Sequence, residues 1–308
     1  MTFDADITDN AAWAGAAPRL SVLIPFFRDD PCALLAALDG AGASVEFVVL
    51  DDGSGDDALA ERVATVVRKL DVATRFVRLC SNVGRAVGRN RLAGEARARS
   101  LLFLDSDMSP DAPDFLARWL ALAETSDPAV AFGGFSLDQA PRTAANAVHR
   151  ALALRSDCAP ASERRKAPEK YVFTSNLLVR RDVFETEPFD PAFVGWGWED
   201  VEWGMRVSRR YEIVHIDNPA THLGLAPASA MAAKFEQSAA NFARVVAAHA
   251  DIVREYPSYR VAKALRRVPL RQVWRPWLKA AALGGAGPAE ARAFALRLYR
   301  AALYAEAV

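Results

Sequence analysis

The chain has 308 residues, enough for one large α/β domain with extensions or for two domains, and 52% of them are hydrophobic against 25% charged, the balance of a globular protein with a sizeable core. Lys plus Arg equals Asp plus Glu at 38 each, so net charge gives no reason to expect a nucleic-acid partner. The three cysteines (Cys32, Cys80, Cys158) have neither metal-ligand spacing nor the even count of a disulfide framework, which predicts a reducing, cytoplasmic compartment, and no apolar run approaches the roughly 20 residues that span a bilayer.

Residues 1–18 read as a flexible, Ala-rich leader with no signal-peptide pattern. Leu20–Ile24 is a predicted strand that closes on Pro25-Phe-Phe27-Arg-Asp29, and a helical pattern follows around Pro31–Ala41. Val45–Leu50 is a second strand, ending in Asp51-Asp52-Gly53-Ser54. A carboxylate such as Asp52 could accept from a base imide or a ribose hydroxyl, and Gly53 lets backbone approach closely. The same four residues also suit a turn and a helix cap, and both roles can hold together.

Asp56–Leu70 reads as a helix and Arg75–Leu79 as a third strand. Asn82-Val-Gly-Arg85-Ala-Val-Gly-Arg89 opens the next helix. Free N–H groups and guanidinium forks at a helix start suit an anion, so Arg85 and Arg89 either meet a phosphate or clamp Asp52 or Asp105. The fourth strand, Ser100–Leu104, runs straight into Asp105-Ser106-Asp107. Buried parallel strands present ligands at their carboxyl ends, and two acids there suit Mg²⁺ or Mn²⁺ together with a phosphate ligand. Strands alternating with helices predict a mostly parallel sheet covered on both faces.

The second half is less regular. Pro113–Glu124 reads as a helix, Ala129–Phe135 and Tyr171–Arg180 as strands, and 156–170 as a mobile loop. In Gly195-Trp196-Gly-Trp198-Glu199-Asp200, two glycines permit a sharp turn and two indoles offer flat faces for sugar rings. Glu199 and Asp200 then fall in the first turn of a helix over Glu199–Arg210, where a carboxylate could take a proton from an acceptor hydroxyl. His215 sits inside a strand pattern over Tyr211–Ile216 and reads as structural, whereas His222, in the polar turn beyond it, is a candidate third metal ligand. Ala228–Glu255 reads as one long helix.

From Asp251 onward eleven basic side chains face four acidic ones. Arg260–Lys279 carries seven cations and no acid, interleaved with Trp274 and Trp277. Such a segment either lies on a membrane surface or packs as a helix with a solvated basic face, and Pro269 and Pro276 interrupt any single long helix.

The ordered set of motifs from Leu20 to Gly224 resembles family 2 glycosyltransferases of the GT-A fold. The Gly-Trp-Gly-Trp-Glu-Asp stretch with His222 downstream is similar to the Gly-Trp-Gly-x-Glu-Asp region of galactosyl- and N-acetylgalactosaminyl-transferases. The resemblance implies a GT-A domain over 19–227, a Rossmann-like mixed sheet, with a helical, basic extension over 228–308. It implies an inverting, metal-dependent transfer from a nucleotide-sugar, UDP-linked as the first expectation, to a glycan or lipid-linked hydroxyl in cell-envelope polysaccharide synthesis.

Residue by residue, the resemblance assigns donor binding to Pro25, Phe27, Asp52, Arg85, Arg89, Asp105 and Ser106, and the metal to Asp107 and His222. Asp200 becomes the general base, Glu199 the group that orients the acceptor, and Trp196, Trp198 and Asn176 the acceptor-binding residues. The family's Gly-Gly-Phe-Asp is replaced here by Glu187-Pro-Phe-Asp190, which alters the acceptor loop. Two rival readings stay open, a sugar nucleotidyltransferase and a non-catalytic glycan- or membrane-binding module. The first expects a Gly-rich basic loop where Pro25-Phe-Phe-Arg-Asp29 stands, and the second does not need an intact acidic set.

Overall fold

The structure, a computed structural model, describes residues 4–308. In chain order the first half runs β1 (Ala5–Asp9), β2 (Leu20–Phe26), α1 (Cys32–Leu38), β3 (Val45–Asp51), α2 (Asp57–Val67), β4 (Ala73–Leu79), α3 (Arg85–Glu95) and β5 (Ser100–Phe103). The middle continues with β6 (Met108–Pro110), α4 (Phe115–Thr125), β7 (Val130–Phe132), β8 (Phe135–Ser136), α5 (Ala147–Ser156), α6 (Ala161–Arg164), β9 (Leu177–Arg180), α7 (Arg181–Thr186) and α8 (Glu199–Val207). Then come β10 (Ile213–His215), β11 (Ala220–His222), α9 (Ala228–Ala248), α10 (Ala250–Val253), α11 (Pro257–Arg266), α12 (Arg271–Leu283) and α13 (Ala289–Tyr304).

Eight strands form one sheet in the order β1-β4-β3-β2-β5-β9-β7-β10. The run β4-β3-β2-β5 is parallel, and β9 enters antiparallel between β5 and β7. Every residue of β3 is buried, as expected for a strand covered on both faces. One apolar cluster packs α1, α2 and α4 on one face of the sheet, and a second packs α3, α7 and α8 on the other.

The edge strand β1 corrects the expected flexible leader. Ala5–Asp9 pairs antiparallel with Arg75–Leu79, Arg75 grips Asp9 at 2.8 Å, and the buried Trp13 lies under the Arg97 guanidinium at 3.7 Å. Residues 1–3 of that leader lie outside the described residues. The expected loop over 156–170 is also corrected, because it contains α6 and is anchored by Arg164. That side chain is buried, donates to the carbonyl of Ile216 at 2.6 Å and stacks on Phe132.

A small second sheet, β6-β11-β8, decides the site. Antiparallel pairing of β11 with β6 sets His222 opposite Met108, the residue after Asp107. Beyond it the C-terminal helices form their own apolar clusters, in which α5, α9 and α13 pack together and Trp198 meets Phe242 and Tyr304. Pro269 falls in the break between α11 and α12, but Pro276 lies inside α12, where it removes one N–H without ending the helix.

Candidate active site

A cavity of about 660 Å³ opens where the carboxyl end of β5, the start of α8 and the C-terminal helices meet. Of the residues singled out from sequence, Arg85, Asp105, Asp107, Trp196, Trp198, Glu199, Asp200 and His222 line it, drawn from segments more than a hundred positions apart.

Asp107 and His222 are brought together through the small sheet. His222 Nε2 stands 3.1 Å from Asp107 Oδ2, and the backbone N–H of Leu223 donates to the Asp107 carbonyl at 2.9 Å. A side chain at position 224 would collide with the Asp107 carboxylate, so Gly224 is what leaves that carboxylate room. A carboxylate oxygen beside an imidazole suits Mn²⁺ or Mg²⁺. No group of three His, Cys, Asp or Glu side chains among the described residues makes a complete protein cage, so a cation there would draw its other ligands from substrate and water.

Asp105 is held by Arg89, whose guanidinium donates to its Oδ1 at 2.6 Å. Of the two alternatives for that arginine, the clamp on Asp105 is the one formed. Arg85 reaches the other way and donates through Nε to Glu199 Oε1 at 2.5 Å, tying α3 to α8. Burial by itself would raise the Glu199 pKa, but the Arg85 and Arg89 guanidinium groups prevail and hold it below the usual carboxylate range.

The turn before α8 is tightly folded, with positive φ at Gly195, Gly197 and Trp198. It presents Asp200 in the first turn of α8. One carboxylate oxygen accepts from the Val201 N–H at 2.8 Å. Burial, and then the negative charge of Glu199, push the Asp200 carboxyl up to about 7. A carboxylate with that affinity for a proton, on a cavity wall, is matched to general-base work near neutrality.

Several expected contacts are otherwise employed. Asn176 is fully buried, gives its amide to the carbonyls of Gly134 and Asn218, and accepts from Trp119, so it holds loops together rather than reaching an acceptor. Asp52 accepts from Val83 N at 2.8 Å, Gly84 N at 3.1 Å and Asn82 Nδ2 at 3.0 Å, so the chain's own 82–84 turn occupies its two oxygens. Gly53 approaches backbone closely as expected, but the backbone is that of Ser81 and Asn82, not a ligand's neighbour. Pro25, Phe27 and Ser106, at strand ends, and Arg89, inside α3, stand outside the cavity lining; Phe27 is exposed and Ser106 donates to Asp29 at 2.9 Å. Trp198 donates to Tyr304 Oη at 2.8 Å and packs on Phe242, which leaves Trp196 as the freer indole.

Three kinds of lining residue have no counterpart in the sequence reading. His149 accepts the Ala226 N–H on Nδ1 at 2.8 Å, and burial draws its pKa down to about 4, so it is a neutral imidazole with its proton on Nε2, beside His222. Lys234 lies over the Trp196 ring at 5.7 Å. Arg155, Arg297 and Arg300 stand on the helical wall. His215, by contrast, is fully buried against the Pro168 carbonyl, as its strand position implies.

No curated protein matches the chain by sequence. Among solved structures, a mannosyltransferase from Pyrobaculum calidifontis, PcManGT, in complex with GDP-Man and Mn²⁺, superposes with a TM-score of 0.61 at 15% identity, over 96% of this chain and 90% of that one. TarS from S. aureus, residues 1–349, superposes at 0.54 and 15% identity, over 86% of this chain and 79% of that one. At such identity the likeness speaks for the fold, which is GT-A. The family model described as "Glycosyl transferase family 2" matches residues 21–187, more than half of the chain, and the protein therefore belongs to that family.

Proposed function

We propose that the protein is a metal-dependent, inverting glycosyltransferase that moves a sugar from a nucleotide-sugar, a UDP-sugar as the leading candidate, to a hydroxyl of a glycan or lipid-linked acceptor. One observation carries this reading: Asp200, its pKa raised to about 7, lines the same cavity as the Asp107–His222 pair. The acceptor O–H proton passes to Asp200 as that oxygen attacks the anomeric carbon from the face opposite the leaving group. The bond to the diphosphate breaks with its electron pair, which leaves on the nucleotide. Asp107 and His222 would hold the cation, whose charge when bound offsets that of the diphosphate.

Asp105 and Arg89 form a rigid edge for the donor, and Asp52 shapes it through the 82–84 turn. Glu199 acts as a positioning residue, raising the proton affinity of Asp200 while Arg85 fixes it in place. Trp196 offers its face to the acceptor sugar. The Mn²⁺ and GDP-Man reported with PcManGT agree with this chemistry without fixing the sugar or base here.

The test is Asp200→Asn in an assay of donor consumption with several nucleotide-sugars and Mn²⁺. Turnover should fall by about 10²–10⁴-fold with nucleotide affinity retained. Near-normal turnover in the variant would remove Asp200 as the base.

A peripheral membrane position is the second part of this reading, carried by α12. Leu270, Val273 and Trp277 are 73%, 61% and 74% exposed and recur at helical spacing, with Arg266, Arg267 and Arg271 beside them. An apolar stripe flanked by cations suits an anionic bilayer surface. No helix among the described residues is long and apolar enough to cross a membrane.

A further inference from the structure

The C-terminal wall of the cavity carries charge that the protein leaves unmatched. Arg297 and Arg300 lie one turn apart on α13, and Arg155 comes from the end of α5, which packs against it. On neighbouring α12 two cations are paired, Arg275 with Glu306 at 2.8 Å and Lys279 with Glu236 at 2.6 Å, and on α5 and α13 Arg150 and Arg292 are satisfied by backbone carbonyls. Among the described residues no ion pair joins Arg155, Arg297 or Arg300 to a carboxylate; Arg300 lies over the Phe235 ring at 4.9 Å and Arg297 over Phe294 at 5.7 Å. The one carboxylate among the described residues that feels this wall is Asp157, whose pKa burial raises and Arg300 draws down, a single acid against three guanidinium groups. Burial, then Arg155 and Arg300, also depress the Arg297 pKa, as expected where like charges share a partly desolvated wall.

Such a cluster costs stability unless an anion completes it. The donor diphosphate is not the natural candidate, because its place is at Asp107 and His222, where Arg85 and Lys234 supply nearby positive charge. From these observations, and resting on the transferase reading above, we infer that the acceptor carries an anionic group, a phosphate or a carboxylate, seated by Arg155, Arg297 and Arg300 while its hydroxyl faces Asp200. Guanidinium forks bind either anion bidentately, and the rings beneath them keep the forks in place.

The experiment measures binding of three probes to the full chain: a neutral hexose, the hexose 6-phosphate and the corresponding hexuronate. Divalent cation is left out, so that phosphate capture at Asp107 and His222 does not contribute. One or both anionic probes should bind at least tenfold more tightly than the hexose, and whichever does identifies the anion. Arg297→Gln with Arg300→Gln should erase that preference while leaving affinity for the neutral hexose, and nucleotide affinity with Mn²⁺, in place. If the double variant does not fold, Arg155→Gln, at an exposed position, should reduce the preference by itself. Equal affinity for all three probes overturns the inference. So does a preference that survives the substitutions, or a loss of nucleotide affinity, which would move the arginines to the donor. Absence of Mn²⁺-dependent donor consumption by the wild type would instead sink the transferase reading, and leaves the binding result to be judged by itself.

Discussion

The two sides of the cavity settle their charges differently. On the strand-end side each of these side chains has a protein partner: Asp52 the 82–84 turn, Asp105 Arg89, Ser106 Asp29, and Glu199, through one of its two oxygens, Arg85. On the helical side Arg155, Arg297 and Arg300 line the cavity without an ion pair among the described residues, and Arg300 and Lys234 lie over aromatic rings. The first side is a preorganised frame, in which protein hydrogen bonds fix the groups before a ligand arrives. The second is a surface whose charge balance is incomplete without one. The family model covers most of the frame, and the proposed acceptor preference belongs to the unpaired wall.

Asp107→Ala should break the frame with the largest effect. Removing half of the cation pair should weaken Mn²⁺-dependent nucleotide binding by at least about 10–100-fold in a calorimetric titration, while affinity for a neutral acceptor sugar stays level. Nucleotide affinity that ignores Mn²⁺ in both wild type and variant would show that Asp107 and His222 do not serve a cation.

A pH profile sharpens the link between the sides. With Asp200 as the proposed base, active only when deprotonated, and its folded-state pKa raised to about 7, kcat/KM should fall as pH drops through 7, approaching tenfold per unit below it, and level off above. Glu199→Gln removes the like charge that helps raise that pKa and leaves Arg85 and Arg89 nearby, so the inflection should move to lower pH. An inflection that stays in place would deny Glu199 its positioning role.

Legibility followed the same division. β2, β3, β4 and β5 are apolar runs ending in turn residues, and the Asp105–Asp107 motif is legible as the end of a buried strand from its sequence alone. β1 was not legible, because as an edge strand it alternates Asp6 and Thr8 with apolar residues and its partner lies some seventy positions away. The resemblance assigns Asn176 to acceptor binding, yet its amide is consumed by carbonyls that only the fold brings near. The arginines of α13 did leave a trace: no Asp or Glu stands between Glu290 and Glu306, so Arg297 and Arg300 have no local helical partner. That they face a cavity containing Asp200 depends on how α5, α9 and α13 pack, which no local pattern encodes.

The smallest expected effect concerns the outward surface of the helical side. Arg275 and Lys279 pin α12 to the protein through Glu306 and Glu236, and Leu270, Val273 and Trp277 point away from those anchors. Truncating the chain before α12 would also remove α13 and with it one wall of the cavity, so a point substitution is the cleaner probe. Trp277→Ser takes away the broadest exposed ring without touching an anchor. Partial insertion of one such side chain is worth on the order of 1 kcal/mol, so binding to vesicles rich in anionic lipid should weaken several-fold, with thermal stability and nucleotide affinity unchanged. Raising the salt should weaken the wild type as well, because Arg266, Arg267 and Arg271 contribute through screened attraction. Vesicle binding that responds to neither the substitution nor salt would make α12 a packed helix with a solvated basic face, and the cavity would then have to receive its acceptor from solution.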